Sequence, residues 1–339
     1  MLQLSGDDAM FYHMTNGKLS GLCALHVDDF LTGGTLEFEK LLDRKLQGGF
    51  KFGKIELQKF KFTGLNIKPD RDSIYRDQID YIQSLAPIQT PRVADKNEKL
   101  SPSEFKDYRA LTGQLSWAAE NSRPDLSYDV RELATRNKFA TFHDIHRANK
   151  VLRKAQQMDV KIKFSSLGKL ENLKVIGFTD SSYRNAEDTS KSVGGRLVLL
   201  MNDSGDCSPL AWKSKTIQQV CKSVKSAETR SLDLGMEDCI FLCNMIQEIY
   251  FGKSNQSRLP VEMKIDSKTL YDSIHSSKQV EEKTIRHIIA WMKQQLEEKT
   301  VNDISWVSSS NMLADIFTKR NVNSDSLVDV MTKGMIPKL

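Results

Sequence analysis

Four acidic residues in the C-terminal half of the chain stand at the ends of predicted elements. Asp180 ends an apolar strand pattern, Glu228 opens a long helical pattern, Asp266 ends a later strand pattern, and Asp315 lies on a predicted short helix. Crowded carboxylates repel one another unless a cation lies between them, and hard oxygen ligands suit Mg²⁺ or Mn²⁺. Two such ions about 4 Å apart can stabilise the attacking and the leaving oxygen of a phosphodiester displacement. The four acids therefore indicate a nuclease that uses divalent metal ions.

The same four residues also have an ordinary structural explanation. The chain contains 44 acidic residues, and aspartate at a strand end is common in turns. Glu228 could equally be an acid that the helix dipole favours in a first turn. Because the four residues lie tens of positions apart, they meet only if the tertiary fold brings them together. The residues alone leave the catalytic and the structural interpretation open.

A second pair of acids lies near the N-terminus. The strand pattern Leu19–Leu25 runs into His26-Val27-Asp28-Asp29-Phe30, followed by Leu31-Thr32-Gly33-Gly34. An apolar run that meets a polar turn and then resumes is typical of a β-hairpin. The sequence therefore predicts Asp28 and Asp29 near a hairpin tip, where they are further candidate metal ligands.

The elements that must position these acids fall into three regions. The first 70 or so residues alternate strands with a helix at 36–46, and residues 59–67 have the alternation of one half-buried strand. The middle third is helical, with helices predicted at 103–115 and 123–152. After a polar break at 165–168 the pattern changes to strands at 174–180, 195–201 and 209–214, a helix at 226–250, and further strands and helices ending with a helix at 311–319.

Composition narrows the class of protein. The 339 residues are 39% hydrophobic and 27% charged, which is typical of a packed protein of two or three domains. No apolar run approaches the roughly 18 residues of a membrane span, so no membrane partner is expected. The five cysteines form no CxxC pair, so we interpret them as reduced thiols, with Cys239 and Cys243 as small buried residues of one helix. The formal charge of +5 permits a polyanionic partner without requiring one.

Several ordered motifs resemble the distal part of the Pol polyprotein of copia-type retrotransposons, from about residue 18 to residue 319. The polymerase box is similar to His26-Val27-Asp28-Asp29, and two central motifs are similar to Leu111-Thr112-Gly113-Gln114-Leu115 and Ser122-Arg123-Pro124-Asp125-Leu126. The ribonuclease H motifs are similar to Gly177-Phe178-Thr179-Asp180, Ala211-Trp212-Lys213-Ser214-Lys215 and Leu313-Ala314-Asp315-Ile316-Phe317-Thr318-Lys319.

This resemblance implies an α+β protein with a truncated reverse-transcriptase palm at 1–75, a helical thumb or connection layer at 76–165, and a ribonuclease H-like α/β domain with a five-stranded mixed sheet at 166–325. It places the ribonuclease H carboxylates on Asp180, Glu228, Asp266 and Asp315, the same four acids. It implies two Mg²⁺ or Mn²⁺ ions and cleavage of the RNA strand of an RNA/DNA hybrid, with the 2′-hydroxyl distinguishing RNA. Lys213, Lys215, Lys222 and Lys225 could contact the nucleic-acid backbone, or could be solvated residues of a strand edge and loop.

Polymerase activity is not expected from this chain alone. About 25 residues precede His26, too few to supply the upstream palm carboxylate and the fingers that hold a nucleotide. The resemblance implies other Pol products or Gag as further partners, and an intracellular location in the cytoplasm or a virus-like particle, with the nucleus left open. The alternative function is a nucleic-acid-binding relic that has kept its fold and lost catalysis.

Overall fold

The structure, a computed structural model, describes residues 1–47, 49, 53, 55–90, 95–184, 190–253 and 259–336. These residues form a mixed α+β fold with three β-sheets. The N-terminal sheet is antiparallel and has four strands, namely β1 (Leu2–Leu4), β2 (Asp7–Thr15), β3 (Lys18–His26) and β4 (Asp29–Gly34). The predicted hairpin is confirmed, since His26 pairs with Asp29 across a two-residue turn. The predicted helix is also confirmed as α1 (Leu36–Gln47).

A second antiparallel sheet joins residues that are distant in sequence. Its four strands are β5 (Phe60–Phe62), β6 (Leu65–Asp70), β7 (Ser73–Asp77) and, after the helices, β8 (Ile162–Ser165). The prediction of one strand over 59–67 is wrong, because Thr63 and Gly64 turn the chain between β5 and β6. Their φ angles of 51° and 78° are those of a tight hairpin turn.

The helices of the middle third are packed around one apolar cluster. They are α2 (Ile79–Ser84), α3 (Pro102–Asn121), α4 (Ser127–Thr135) and α5 (Phe142–Gln157). The single helix predicted over 123–152 is wrong. The chain leaves α4 after Thr135, and the carboxylate of Asp144 accepts a hydrogen bond of 3.0 Å from the backbone N–H of Thr141 at the start of α5. This helix cap begins α5 at a point where the periodicity of the sequence predicts one continuous helix.

The third sheet has five strands and carries the four acids of the C-terminal half. Its elements are β9 (Leu173–Ser182), β10 (Val193–Asn202), β11 (Cys207–Thr216), α6 (Val224–Phe251), β12 (Val261–Ile265), α7 (Lys268–His275), α8 (Lys283–Glu297), β13 (Asp303–Trp306) and α9 (Asp325–Lys333). The strand order is β11-β10-β9-β12-β13. Strand β10 pairs antiparallel with both β9 and β11, whereas β12 runs parallel to both β9 and β13. The predicted mixed five-stranded sheet is therefore present.

Helix α6 packs on one face of this sheet at close range. A Cβ built on Gly177 would lie 2.6 Å from Cys239 Sγ, so the absence of a side chain in β9 lets the helix approach. All five cysteines are buried, and Cys239 and Cys243 belong to the core cluster of this face, as expected. Among the described helices, none combines the length and apolar composition that crossing a lipid bilayer requires.

The opposite face of the sheet is covered by the C-terminal segment. The predicted helix over 311–319 is wrong, because this stretch forms two short 3₁₀ turns, Ser309–Asn311 and Asp315–Phe317. The segment packs its apolar residues into the sheet while polar residues interrupt the 3.6-residue repeat. Helix α9, which lies mostly beyond the predicted domain limit at 325, adds Leu327, Val330 and Met331 to the same core.

Candidate active site

Three of the four predicted acids converge at one edge of the five-stranded sheet, the edge formed by the carboxyl ends of the parallel strands β9 and β12. Asp180 lies in β9, Asp266 directly follows the parallel neighbour β12, and Glu228 lies in the second turn of α6. One carboxylate oxygen from each lies within 4.8 Å of the others. Among the described residues these three form the one group of acid, histidine or cysteine side chains that is spaced to hold a metal ion. The tertiary fold thus gathers acids from three separate elements.

Burial makes this group electrostatically costly. The residues Asp180 and Glu228 are only 1% and 6% exposed. Burial, helped by the charges of Asp315 and Asp266, raises the pKa of Asp180 to about 7, although Lys319 and a hydrogen bond from Thr318 act in the opposite direction. Burial and the neighbouring Asp180 also raise the pKa of Glu228 well above its ordinary value. A divalent cation would relieve this penalty by stabilising the ionised forms.

Neighbouring hydroxyl groups orient the three carboxylates. The Ser181 hydroxyl donates a 2.8 Å hydrogen bond to Glu228 Oε1, and the Ser309 hydroxyl donates one of 2.9 Å to Asp266 Oδ2. The Thr318 hydroxyl donates to Asp180 Oδ2. Contacts of this kind fix the direction of carboxylate lone pairs before any ligand arrives.

The fourth predicted acid, Asp315, lies beside the group rather than in it. Its Oδ1 is 2.7 Å from Lys319 Nζ, and that ammonium is 3.6 Å from Asp180 Oδ2. Burial by itself lowers the pKa of Lys319, but the carboxylates of Asp180 and Asp315 outweigh it and raise that pKa. Lys319 therefore connects Asp315 to the buried carboxylates as a protein-borne cation.

A glycine allows the C-terminal segment to reach the cluster. Gly195 in β10 is paired with Asp180 across the sheet. A Cβ on Gly195 would lie 2.7 Å from Phe317 Cβ, 2.7 Å from Thr318 Cγ2 and 2.9 Å from the Ala314 carbonyl oxygen. Only a residue without a side chain leaves room there for Thr318 to contact the carboxylate.

The predicted lysines border this region. Lys213 and Lys215 are exposed on the edge strand β11, Lys222 is exposed before α6, and Lys225 is half-buried one helical turn before Glu228. Their positions are compatible with backbone contacts to a nucleic acid, and that role stays a prediction.

Asp28 and Asp29 lie apart from the three-acid group. Both are exposed at the β3–β4 hairpin tip, and no described side chain completes a three-ligand group with them. Sequence reasoning also missed four site residues, Ser181, Ser309, Thr318 and Lys319. The last two lie inside the Leu313–Lys319 motif, so the motif was the available signal, but only the fold shows their contacts.

No protein-family profile matches the chain. Among curated proteins it is 25% identical over 223 residues to an uncharacterized mitochondrial protein of Arabidopsis thaliana, covering 62% of this chain and 89% of the relative. It is 29% identical over 239 residues to a putative transposon Ty5-1 protein of Saccharomyces cerevisiae, covering 63% of this chain and 72% of the relative. The retrovirus-related Pol polyprotein from transposon RE1 of Arabidopsis thaliana is 24% identical over 262 residues, or 72% of this chain.

The curated relatives therefore include the retrovirus-related Pol polyproteins from transposons RE1 and RE2 of Arabidopsis thaliana. The chain spans 17% of the length of the RE1 polyprotein. Solved structures with similarity include LC11 ribonuclease H1 in complex with an RNA/DNA hybrid, with 20% identity, a TM-score of 0.32, and coverage of 43% of this chain and 94% of that one. Ribonuclease H1 of Halobacterium salinarum matches at 16% identity and a TM-score of 0.32, with the same coverages.

Proposed function

We propose that this Pol-related chain is a ribonuclease H-type hydrolase that cleaves the RNA strand of RNA/DNA hybrids with two Mg²⁺ or Mn²⁺ ions. The observation that carries the proposal is the convergence of Asp180, Glu228 and Asp266 within 4.8 Å at the edge of the mixed sheet. The homology to retrotransposon Pol polyproteins and the ordered ribonuclease H motifs support the same assignment.

The residues at the site fit a divalent metal ion. Their donors are carboxylate oxygens, the ligands that Mg²⁺ and Mn²⁺ prefer. The pKa values of Asp180 and Glu228 are raised because burial and mutual repulsion destabilise the ionised carboxylates. A bound cation would offset this electrostatic penalty. Asp180, Glu228 and Asp266 would hold the ions, with Asp315 as a further ligand candidate. When bound, the ions would activate water and neutralise charge that develops on the phosphate.

The chain's own side chains prepare the site for that chemistry. The hydroxyls of Ser181, Ser309 and Thr318 hold the three carboxylates in fixed orientations. Lys319 is 41% exposed, so its ammonium can remain near Asp180 or turn towards solvent when other cations enter. The exposed lysines of β11 and of the segment before α6 would attract the phosphate backbone and hold the hybrid across the sheet edge.

We propose no polymerase activity, although the N-terminal motif resembles that of a reverse transcriptase. Asp28 and Asp29 are exposed, and the described residues supply no third ligand for them. For this chain we therefore propose hydrolysis and not synthesis.

The decisive experiment incubates the full chain with a hybrid labelled on its RNA strand, in Mg²⁺ or Mn²⁺. We expect the wild type to cleave the RNA strand and Asp180→Asn to lose that cleavage. In a second hybrid labelled on its DNA strand, that strand should stay intact. The matched control is Asp203→Asn, an exposed aspartate in the β10–β11 turn, which should cleave like the wild type. Hybrid binding without cleavage by the wild type would instead identify a nucleic-acid-binding relic.

A further inference from the structure

The segment that brings Asp315, Thr318 and Lys319 to the acidic site is anchored at its end by another part of the molecule. Arg320 directly follows Lys319, and its Nε lies 2.6 Å from Oε2 of Glu132 in helix α4. These two residues are 188 positions apart in sequence. The ion pair therefore joins the helical middle third to the C-terminal segment beside the site.

Glu132 is a rigid anchor rather than a surface charge. It is 1% exposed, and its carboxylate also accepts hydrogen bonds from Arg147 at 2.7 Å and from the Tyr128 hydroxyl at 3.0 Å. Both partners belong to the helical layer. Because several donors converge on this buried carboxylate, it has a fixed position.

Helix α4 also packs directly against the region of the site. It contacts strand β11 and the 3₁₀ turn at Asp315–Phe317. Arg131, the residue before Glu132, donates a hydrogen bond of 3.3 Å to the Thr216 hydroxyl at the end of β11. The helical layer thus supports one side of the sheet edge that carries the acidic group.

The other side of the anchored segment contacts the buried carboxylates. One residue before Arg320, the Lys319 ammonium lies between Asp315 and Asp180. Two residues before it, the Thr318 hydroxyl donates to Asp180 Oδ2. If the backbone at Arg320 shifts, Lys319 and Thr318 must move with it, because they are only one and two residues away. Both contacts to Asp180 then change.

We infer that Glu132 and Arg320 form a positioning pair through which the helical layer sets the metal affinity of the acidic site. The inference rests on the proposed function, since it assumes that Asp180, Glu228 and Asp266 hold the metal ions. Neither residue of the pair is a catalytic residue, and both act through Thr318, Lys319 and Asp315. Residues that hydrogen-bond directly to metal ligands commonly change metal affinity by about 10–100-fold when they are removed. Glu132 and Arg320 act one contact further away, so we expect an effect at the lower end of this range.

The test compares two arginines that bind the same carboxylate. Arg320→Ala removes the link to the C-terminal segment, whereas Arg147→Ala removes a bond of similar length, 2.7 Å, that stays within the helical layer. Mn²⁺ affinity of the full chain is measured from the electron paramagnetic resonance signal of free Mn²⁺. We expect Arg320→Ala to weaken Mn²⁺ binding by about 10-fold, Arg320→Lys to restore part of that loss, and Arg147→Ala to leave the affinity unchanged.

Hydrogen exchange gives a second measurement that does not depend on metal. The backbone N–H groups of Thr318 and Lys319 donate to the Asp315 carbonyl oxygen, so their exchange rates report whether the segment is held. We expect faster exchange at both amides in Arg320→Ala and wild-type rates in Arg147→Ala. Equal exchange in the two variants, or equal loss of Mn²⁺ affinity in both, overturns the inference.

The two proposals can fail separately. If the wild type binds Mn²⁺ and Arg320→Ala weakens that binding, but no variant cleaves a hybrid, the positioning pair stands and the hydrolase assignment fails. If the wild type cleaves hybrids and Arg320→Ala has wild-type metal affinity and exchange rates, the hydrolase assignment stands and the positioning pair fails.

Discussion

The hairpin tip with Asp28 and Asp29 and the sheet edge with Asp180, Glu228 and Asp266 contain the same chemical groups in opposite surroundings. At the hairpin tip, the carboxylates are exposed and belong to two consecutive residues, the last residue of the turn and the first of β4. At the sheet edge, they come from three elements and lie within 4.8 Å of one another, and two of the three are almost fully buried. Water solvates the first pair, whereas the second group is forced into mutual repulsion.

This difference teaches that the number of adjacent acids is a poor guide to a metal site. Two neighbouring aspartates in a turn point into solvent and need no cation. Burial and mutual repulsion raise the pKa values of Asp180 and Glu228, so these two carboxylates favour a bound cation. The contrast between the two regions can be tested with matched substitutions.

The largest expected effect is on cleavage. Glu228→Gln keeps the size of the side chain and an acceptor for the Ser181 hydroxyl, but it removes the charge that a metal ion needs. We expect it to lower the rate of hybrid cleavage by roughly 10³-fold, because stabilisation of the developing charge is lost.

The matched variant at the hairpin tip is the double substitution Asp28→Asn with Asp29→Asn, which should cleave at the wild-type rate. Single-turnover cleavage of a labelled hybrid measures both variants. A comparable loss in both would show that the hairpin tip contributes to hydrolysis, and the contrast drawn above would be wrong.

The next effect is on packing around the two regions. In Gly195→Ala the added methyl group would meet Phe317 and Thr318 at 2.7 Å, so the C-terminal segment must shift. We expect a loss of about 2 kcal/mol in the free energy of unfolding, as for other overpacked sites. The matched control is Gly33→Ala in β4, where an added Cβ would meet no atom within 4 Å. Urea unfolding of the two variants measures this difference, and similar losses would contradict it.

The smallest expected effect is on the pH dependence of stability in the absence of metal. The pKa of Asp180 is about 7 in the folded chain and near its ordinary value of 3.8 in the unfolded chain. The folded state therefore binds the proton more tightly, and the free energy of unfolding should fall as pH rises from about 4 to about 7.

Asp180→Asn removes this titration. We compare the free energy of unfolding of this variant with that of the wild type in the presence of a chelator. The difference should change in favour of the variant by at least about 1 kcal/mol between pH 4 and pH 8. Asp28→Asn, at the exposed hairpin tip, should give a stability curve parallel to that of the wild type. Urea unfolding at several pH values measures both curves, and a parallel curve for Asp180→Asn would contradict the buried, repulsive character of the acidic group.

Local patterns predicted most of the elements that carry the site. Alternation and apolar runs found the strands around Asp180, the long helix of Glu228 and the strand before Asp266. The patterns failed where a few residues decide the geometry. Thr63 and Gly64 adopt a positive φ and split one predicted strand, and Asp144 caps a new helix inside a continuous apolar repeat. The short 3₁₀ turns near Asp315 fell below the length at which periodicity is informative.

The sequence by itself determined that Asp180 and Asp266 stand near strand ends and that Glu228 stands near the start of a long helix. It also placed Asp180 and Asp315 in motifs that resemble those of Pol polyproteins. Tertiary structure alone decided that Asp180, Glu228 and Asp266 meet, that Lys319 contacts both Asp315 and Asp180, and that Asp28 and Asp29 are exposed. It also paired Glu132 with Arg320. The reason is that side chains separated by tens of residues are brought together by the packing of whole elements, while local periodicity reports only which face of its own element a residue occupies.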